Sequence, residues 1–200
     1  MTDAGSKGIW VGRHRQQICV RVVGRGTFQN SQPLQQFALE MIEQGHRDFV
    51  VDIGGCPGMD STFVGVLAGI GLRLRQQGTP VNQMHVVNVN HRNCELLQTL
   101  GMDRLFCIEK PLEAAPSAGP LTDVPLEKLP DSASEGRARS LDKDETTNLM
   151  LDAHDNLVRA DERNAPRFGG VTEMLRARAD RRGGQPTVPA RGSPTEKPSS

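Results

Sequence analysis

The segment from Asp48 to Gly78 constrains the fold of this 200-residue chain more than any other. It opens with a short apolar run rich in branched side chains, Phe49 to Ile53, and continues into a cluster of Gly and Pro. That order is typical of a buried strand that ends in a tight loop. After the loop, apolar residues recur at helical spacing, at Phe63, Val66, Leu67, Ile70 and Leu74. The segment therefore predicts a strand, a loop and an amphipathic helix in succession.

Three polar residues, Asp60, Ser61 and Thr62, stand where that helix begins. Side-chain oxygens of these types accept hydrogen bonds from the N–H groups that a helix start leaves unpaired. The positive end of the helix dipole also accommodates a negatively charged group at this position. Both interpretations, a structural cap and a regulated hydroxyl, remain open from the residues alone.

The chain before this segment predicts two strands and a helix. Gly8 to Val11 and Ile18 to Val23 flank a polar turn, which favours an antiparallel pair. Asn30 and Ser31 are good cap residues and Pro33 suits a first helical turn, so we expect a helix from there to about Gly45.

The chain after the segment predicts a strand, a helix and a last strand. Met84 to Val89 form the next apolar run after a stop at Gly78-Thr79-Pro80. Asn88 or Asn90 caps a helix that ends at Gly101, and Leu105 to Ile108 follow as a strand. The predicted order β β α β α β α β gives an α/β fold: a small mixed sheet with helices packed on one face.

The segment centred on Met59-Asp60-Ser61-Thr62 resembles the signature of STAS domains, the fold of bacterial anti-sigma factor antagonists. Downstream, Cys94 to Leu97 and Leu100 to Phe106 resemble the closing helix and last strand of that family. The resemblance covers about residues 8 to 112.

The resemblance implies that the first hydroxyl after the Asp, Ser61, is the phosphoacceptor, ahead of Thr62. It implies that the protein acts as an anti-sigma factor antagonist and docks on an anti-sigma factor with serine kinase activity. The expected partner-binding residues are Gly58, Met59, Asp60, Ser61, Thr62 and Phe63. Phe63 and Val64 stand where the family usually has Gly and Leu. An unphosphorylated STAS scaffold or adaptor in a transporter or signalling assembly is therefore the alternative.

Composition divides the chain into four parts. The Trp and five of the six Phe precede residue 112, whereas ten of the thirteen Pro lie from Pro111 onward. We expect a STAS-like domain at 1–112, a flexible linker at 113–140, a helical extension of two short helices at 141–181 and a disordered tail at 182–200. Neither predicted helix carries an apolar stripe wide enough for a core of its own. We expect them to pack on the sheet domain, on a partner or on another copy, as in a homodimer.

Charge and targeting signals exclude several function classes. Lys plus Arg and Asp plus Glu both number 24, so no strong field attracts nucleic acid or an anionic membrane. The chain opens without an apolar targeting segment, and no stretch approaches the length of a membrane span, so a cytoplasmic location is expected.

Residue spacing gives no reason to expect an enzyme. The four cysteines show no paired spacing and are expected to be buried, and His91 with Cys94 lacks a second pair for zinc. No catalytic residue, metal or cofactor is predicted.

The glycines of the predicted central helix, Gly65, Gly69 and Gly71, admit two interpretations. They let the helix lie close to the sheet, or they leave a shallow face against which a partner helix packs. We favour close internal packing.

Overall fold

Six strands form one mixed sheet in the computed structural model, which describes residues 6–78, 84–110, 121, 124–130 and 143–183. The strands are β1 (Gly8–His14), β2 (Gln17–Val23), β3 (Asp48–Gly55), β4 (Met84–Val87), β5 (Cys107–Ile108) and β6 (Glu127–Lys128). The helices are α1 (Phe28–Glu43), α2 (Ser61–Gln76), α3 (His91–Thr99), α4 (Lys143–Ala160) and α5 (Ala165–Gly183). Short 3₁₀ turns lie at Met102–Arg104 and Glu162–Asn164.

The strands lie in the order β5-β4-β3-β2-β1-β6. The four strands β2 to β5 are parallel neighbours, whereas β1 is antiparallel to both β2 and β6. The predicted α/β fold, a small mixed sheet with helices on one face, is confirmed. Its central strand β3 leads directly to the loop before α2.

Each face of the sheet is covered differently, because alternate residues of a strand point to opposite faces. On the helical face, α1, α2 and α3 complete the main core, which contains Phe49 and Val51 of β3. On the other face, Val50 belongs to a smaller cluster with Leu121, against which Val124 and Leu126 pack.

Part of the predicted linker lies in the sheet. Residues 127 and 128 form β6, and Trp10 and Val11 of β1 pair with them. The expectation of a uniformly flexible segment at 113–140 therefore does not hold at β6, where pairing with an edge strand supplies order that composition did not predict. Residues 113–120, 122–123 and 131–140 of that linker lie outside the described residues.

Helix α1 begins earlier than predicted. Its first residue is Phe28, so Asn30 and Ser31 lie inside the first turn and Pro33 is the sixth helical residue. The side-chain oxygen of Asn30 accepts a hydrogen bond from the backbone N–H of Thr27 at 2.8 Å. Asn30 thus serves the helix start from within the helix.

The ends of α3 follow the sequence pattern. The Asn90 side chain caps α3 by accepting a hydrogen bond from the backbone N–H of Asn93 at 2.9 Å. Asn88 has a φ of 57°, and Gly101 has a φ of 72° just after the helix. Asn90 is therefore the cap, and Gly101 takes the left-handed position predicted for it.

The C-terminal extension contains the two predicted helices, α4 and α5. Of the three arrangements expected for them, the structure has the first, because α4 packs along α2 of the sheet domain. Leu149 and Leu157 of α4 belong to the main core. Helix α5 extends two residues into the predicted tail, whose residues 184–200 lie outside the described ranges.

Candidate functional site

Asp60 caps α2 and also reaches the start of α1. Its Oδ1 accepts a hydrogen bond from the backbone N–H of Phe63 at 2.9 Å. Its Oδ2 accepts one from the backbone N–H of Phe28, also at 2.9 Å. A single carboxylate thereby satisfies two helix starts, each of which favours a negative charge. The predicted cap is confirmed, and it extends to a second helix.

The loop before α2 is held against the loop before α1. The backbone N–H of Gly26 donates to Gly58 O at 3.1 Å, and that of Asp60 donates to Gly26 O at 2.9 Å. A Cβ at Gly26 would lie 2.6 Å from Cδ1 of Phe63, so only glycine allows this approach without movement. The segment around Gly26 is therefore a close contact between two loops.

Phe63 is fully buried beneath that contact, with 0% of its surface exposed. Its ring belongs to the main core. Phe63, which departs from the family signature, therefore fills space left by Gly26 of the neighbouring loop. Its ring does not lie on the protein surface.

Ser61, the first residue of α2, contacts a side chain that sequence analysis did not single out. The Oγ of Ser61 lies 3.0 Å from Nε2 of His154, which is on α4. The Nδ1 of His154 lies 2.7 Å from the backbone oxygen of Met150. Because a carbonyl oxygen only accepts, Nδ1 carries a proton. In the neutral ring Nε2 is then an acceptor, and the Ser61 hydroxyl donates to it.

The environment of this pair is largely closed. Ser61 is half-buried and His154 is 6% exposed. The ring of Phe168 on α5 lies next to the imidazole, with 5.2 Å between the ring centroids. Both C-terminal helices thus contribute to the cover over the Ser61 hydroxyl.

The other predicted partner-binding residues lie mostly beneath the surface. Gly58, Met59 and Thr62 are buried, and Asp60 is half-buried. The structure brings all of them together at the start of α2, but it leaves little of their side chains exposed while α4 is in place.

The glycines of α2 differ from expectation. A Cβ at Gly65 would overlap the backbone of Ala153 on α4, whose Cα would be 2.8 Å away. A Cβ at Gly69 would lie 2.5 Å from Nδ2 of Asn156, also on α4. The packing is internal, as favoured, but these two residues face another helix of the chain and not the sheet. Only Gly71 faces the domain interior, near Leu105.

Asp52, at the end of β3, organises the neighbouring loop. It accepts hydrogen bonds from the backbone N–H of Gly54 at 3.0 Å and from Nδ2 of Asn88 at 2.9 Å. Nε of Arg21 lies 3.3 Å from its second oxygen. All of these contacts serve to shape the loop.

Cysteine and metal chemistry find little support in the described part of the chain. Cys19, Cys56 and Cys94 are buried and Cys107 is partly buried, and burial raises the pKa of the Cys19 thiol. The described residues contain no cluster of three His, Cys, Asp or Glu side chains placed to hold a metal ion. Within the same ranges, every helix is too short or too polar to cross a membrane.

The fold and site define a class of protein: a small mixed sheet whose central strand leads to an Asp-capped helix that begins with two hydroxyl residues. The family model for the Mlab STAS domain matches residues 9–109. The chain belongs to the STAS domain family, and the resemblance inferred from the sequence is confirmed. The match ends before β6 and the C-terminal helices.

Three solved structures are similar to part of this chain. One is of a Thermotoga maritima protein and two are of SpoIIAA, which is described as an anti-sigma factor antagonist. The Thermotoga maritima protein assigned to that class is 14% identical, with a TM-score of 0.46, and the match covers 52% of this chain and 88% of that one. Unphosphorylated SpoIIAA is 15% identical, with a TM-score of 0.45 and coverage of 53% and 91%. Phosphorylated SpoIIAA of Bacillus is 16% identical, with a TM-score of 0.45 and coverage of 53% and 93%. A search of curated proteins found no match.

His154 is the residue at this site that sequence reasoning missed. It lies 93 positions from Ser61, on a helix that the sequence predicts from a weak apolar stripe of Met150, Ala153, Leu157 and Ala160. No local pattern connects a histidine in a C-terminal extension with a hydroxyl at a helix start. The sequence feature that could have indicated this contact is the pair Gly65 and Gly69 of α2, which make room for another helix.

Proposed function

We propose that this protein is a regulatory protein-binding module that acts as an anti-sigma factor antagonist, without enzyme activity and in the cytoplasm. It docks on an anti-sigma factor with serine kinase activity through the start of α2, and phosphorylation of Ser61 switches that docking. The observation that carries the proposal is the position of Ser61. Within the described part of the chain, its Oγ lies within hydrogen-bond distance of His154 on α4, a helix outside the family domain.

Phosphate on Ser61 fits the physical setting. The start of α2 carries the positive end of a helix dipole, which favours a group of about −1.5 to −2 charges. The fold of the sheet domain does not depend on the hydroxyl, since Asp60 supplies the cap. The added charge therefore acts on docking, where a partner has to cover and desolvate it.

The burial of Phe63 supports this proposal. A large ring beside the hydroxyls would obstruct a kinase that expects glycine there. Because the ring occupies the space above Gly26, it does not obstruct the approach to Ser61.

One observation favours a second candidate function. Helix α4 covers Ser61, and its His154 already satisfies the hydroxyl. A STAS scaffold or adaptor that is never phosphorylated accounts for a hydroxyl used only to hold its own extension.

Partner affinity of three full-length variants tests the proposal. The partner is the protein retained with the chain under native purification from its host and identified as an anti-sigma factor. We expect Ser61→Ala to bind it at least as tightly as the unmodified chain, and Ser61→Asp to bind it at least about tenfold more weakly through charge and desolvation. Thr62→Ala is the neighbouring control and should change affinity little. Equal affinity of the acidic variant and the unmodified chain contradicts the switch and favours the scaffold.

A further inference from the structure

We infer that the face of α2 from Ser61 to Gly69 is a helix-binding groove, that α4 occupies it within the chain, and that a helix of the partner competes with α4 for it. This inference deepens the proposed function and rests on it for the identity of the partner.

The floor of the groove is made by residues without side chains. The backbone of Ala153 approaches Gly65 so closely that a Cβ would be 2.8 Å from its Cα, and the side-chain amide of Asn156 lies over Gly69, where a Cβ would be 2.5 Å from its Nδ2. Two glycines one turn apart on one helix face allow the axis of a second helix to come close. An extended strand or a loop would leave this groove partly empty, so the occupant is a helix.

The residues of α4 that meet the groove define the chemistry of an occupant. A small residue, Ala153, stands opposite Gly65, and the next residue, His154, accepts a hydrogen bond from Ser61. Leu157, one turn later, is fully buried in the main core. The expected partner segment is therefore an amphipathic helix with a small residue, then a hydrogen-bond acceptor, then a large aliphatic residue three positions further on.

Helix α4 lies outside the family domain, although its Leu149 and Leu157 belong to the main core. The family match ends at residue 109, and the central strands and α1 to α3 lie within it. Beyond α4, the extension is tied down at a second place, where Nδ2 of Asn164 donates to Leu100 O and to Leu157 O at 2.9 Å each. These contacts of Asn164 form a joint that holds the C-terminal end of α4. Because α4 pairs with no strand, it is able to leave the groove without breaking a hydrogen bond of the sheet.

Phosphorylation and the packing of α4 then act on the same atom, Oγ of Ser61. The hydroxyl that donates to His154 loses its proton when it becomes a phosphate ester, and it gains bulk where α4 lies 3.0 Å away. Access of a kinase to Ser61 requires that α4 leave the groove. The packing of α4 therefore sets the fraction of molecules whose groove is open for docking. Apparent partner affinity falls in proportion to that fraction.

A fluorescent synthetic peptide with the sequence of residues 143–160 tests the groove in the full-length chain. The unmodified chain should bind it weakly, because its own α4 fills the site. Leu157→Asp buries a charge beneath α4 and releases the helix, so this variant should bind the peptide at least about tenfold more tightly. Adding Gly65→Ala to Leu157→Asp should abolish peptide binding, because the new methyl group occupies the floor of the groove. Fluorescence anisotropy measures all three affinities.

Two further variants serve as a charge control and as a substitute for Leu157→Asp. Asn148→Asp places the same charge on an exposed position of α4 and should leave peptide binding as weak as in the unmodified chain. Asn164→Ala loosens the joint without touching the groove, so it replaces Leu157→Asp if that variant does not fold, and it should also strengthen peptide binding.

Equal peptide affinity for the unmodified chain and the released variants would overturn the inference, as would tight binding that survives Gly65→Ala. The measurement involves neither the anti-sigma factor nor phosphate. Failure of the Ser61 variants to alter partner affinity, with the peptide pattern intact, would therefore refute the phosphate switch and leave the groove standing.

Discussion

The carboxylate of Asp60 accepts a hydrogen bond from the backbone N–H of Phe28, 32 residues earlier in the chain, at a distance of 2.9 Å. The same carboxylate caps α2 through Phe63. The starts of α1 and α2 are therefore fixed to each other by one side chain. The candidate phosphoacceptor, Ser61, therefore follows directly after the carboxylate that joins the two helix starts.

Substitution of Asp60 should reveal both caps. Asp60→Ala removes both acceptors and should lower the free energy of unfolding by about 1 to 3 kcal/mol, since one cap contributes about 0.5 to 2 kcal/mol. Asp60→Asn keeps one acceptor oxygen and turns an N–H donor toward the other backbone N–H, so it should also destabilise. Urea unfolding measures both variants, with Glu40→Gln, at an exposed position of α1, as a control. An Asn variant as stable as the unmodified chain would mean that only one of the two bonds contributes.

Gly26 should be intolerant of a side chain. Gly26→Ala places a methyl group against the ring of Phe63 and should destabilise the fold by about 1 to 3 kcal/mol, the usual cost of overpacking. Gly58→Ala is the matched control on the facing loop, because a Cβ there meets no atom within 4 Å. Thermal unfolding of the two variants checks the difference. Equal melting temperatures would contradict the tight contact between the loops.

The contribution of Asp161, which lies between α4 and α5, to the stability of the protein should depend on pH. Hydrogen bonds from Arg163, together with the nearby Arg104, hold the pKa of Asp161 at about 2. This value lies below the ordinary pKa of about 3.9, so the contribution of Asp161 to stability is present above about pH 4 and is lost as the pH falls toward 2. Asp161→Asn should therefore lose stability relative to the unmodified chain at neutral pH, and the difference should shrink in acid.

Urea midpoints measured across this pH range check the acid response, with Glu40→Gln as a control that removes an exposed carboxylate from α1. A stability difference between the Asp161→Asn variant and the unmodified chain that stays constant from neutral pH to about pH 2 would contradict the assigned role of Asp161.

Much of the sheet domain follows from local sequence. The apolar run of β3 and the helical spacing after Asp60 specify a strand, a loop and a helix over a short stretch of chain. The start of α1 does not follow in the same way. Its first N–H is satisfied by Asp60, a partner 32 residues away, so nearby residues such as Asn30 suggested a later start.

The position of α4 over Ser61 depends on contacts between residues that are even further apart in the sequence. Gly65 and Gly69 are small because α4 passes over them, but α4 begins more than seventy residues later in the chain. Periodicity predicted that α4 is a helix and could not predict which surface receives it. The burial of Phe63 has the same origin, since its space is provided by Gly26 on another loop.

We propose Ser61 as the regulated hydroxyl of this STAS domain. Fragment-ion mass measurement on the full-length protein purified from its own host tests it most directly. We expect a fraction of the molecules to carry one phosphate, located on Ser61 and absent from the Ser61→Ala variant. Phosphate on Thr62 instead, or the absence of phosphate from both hydroxyls under every growth condition, would contradict it.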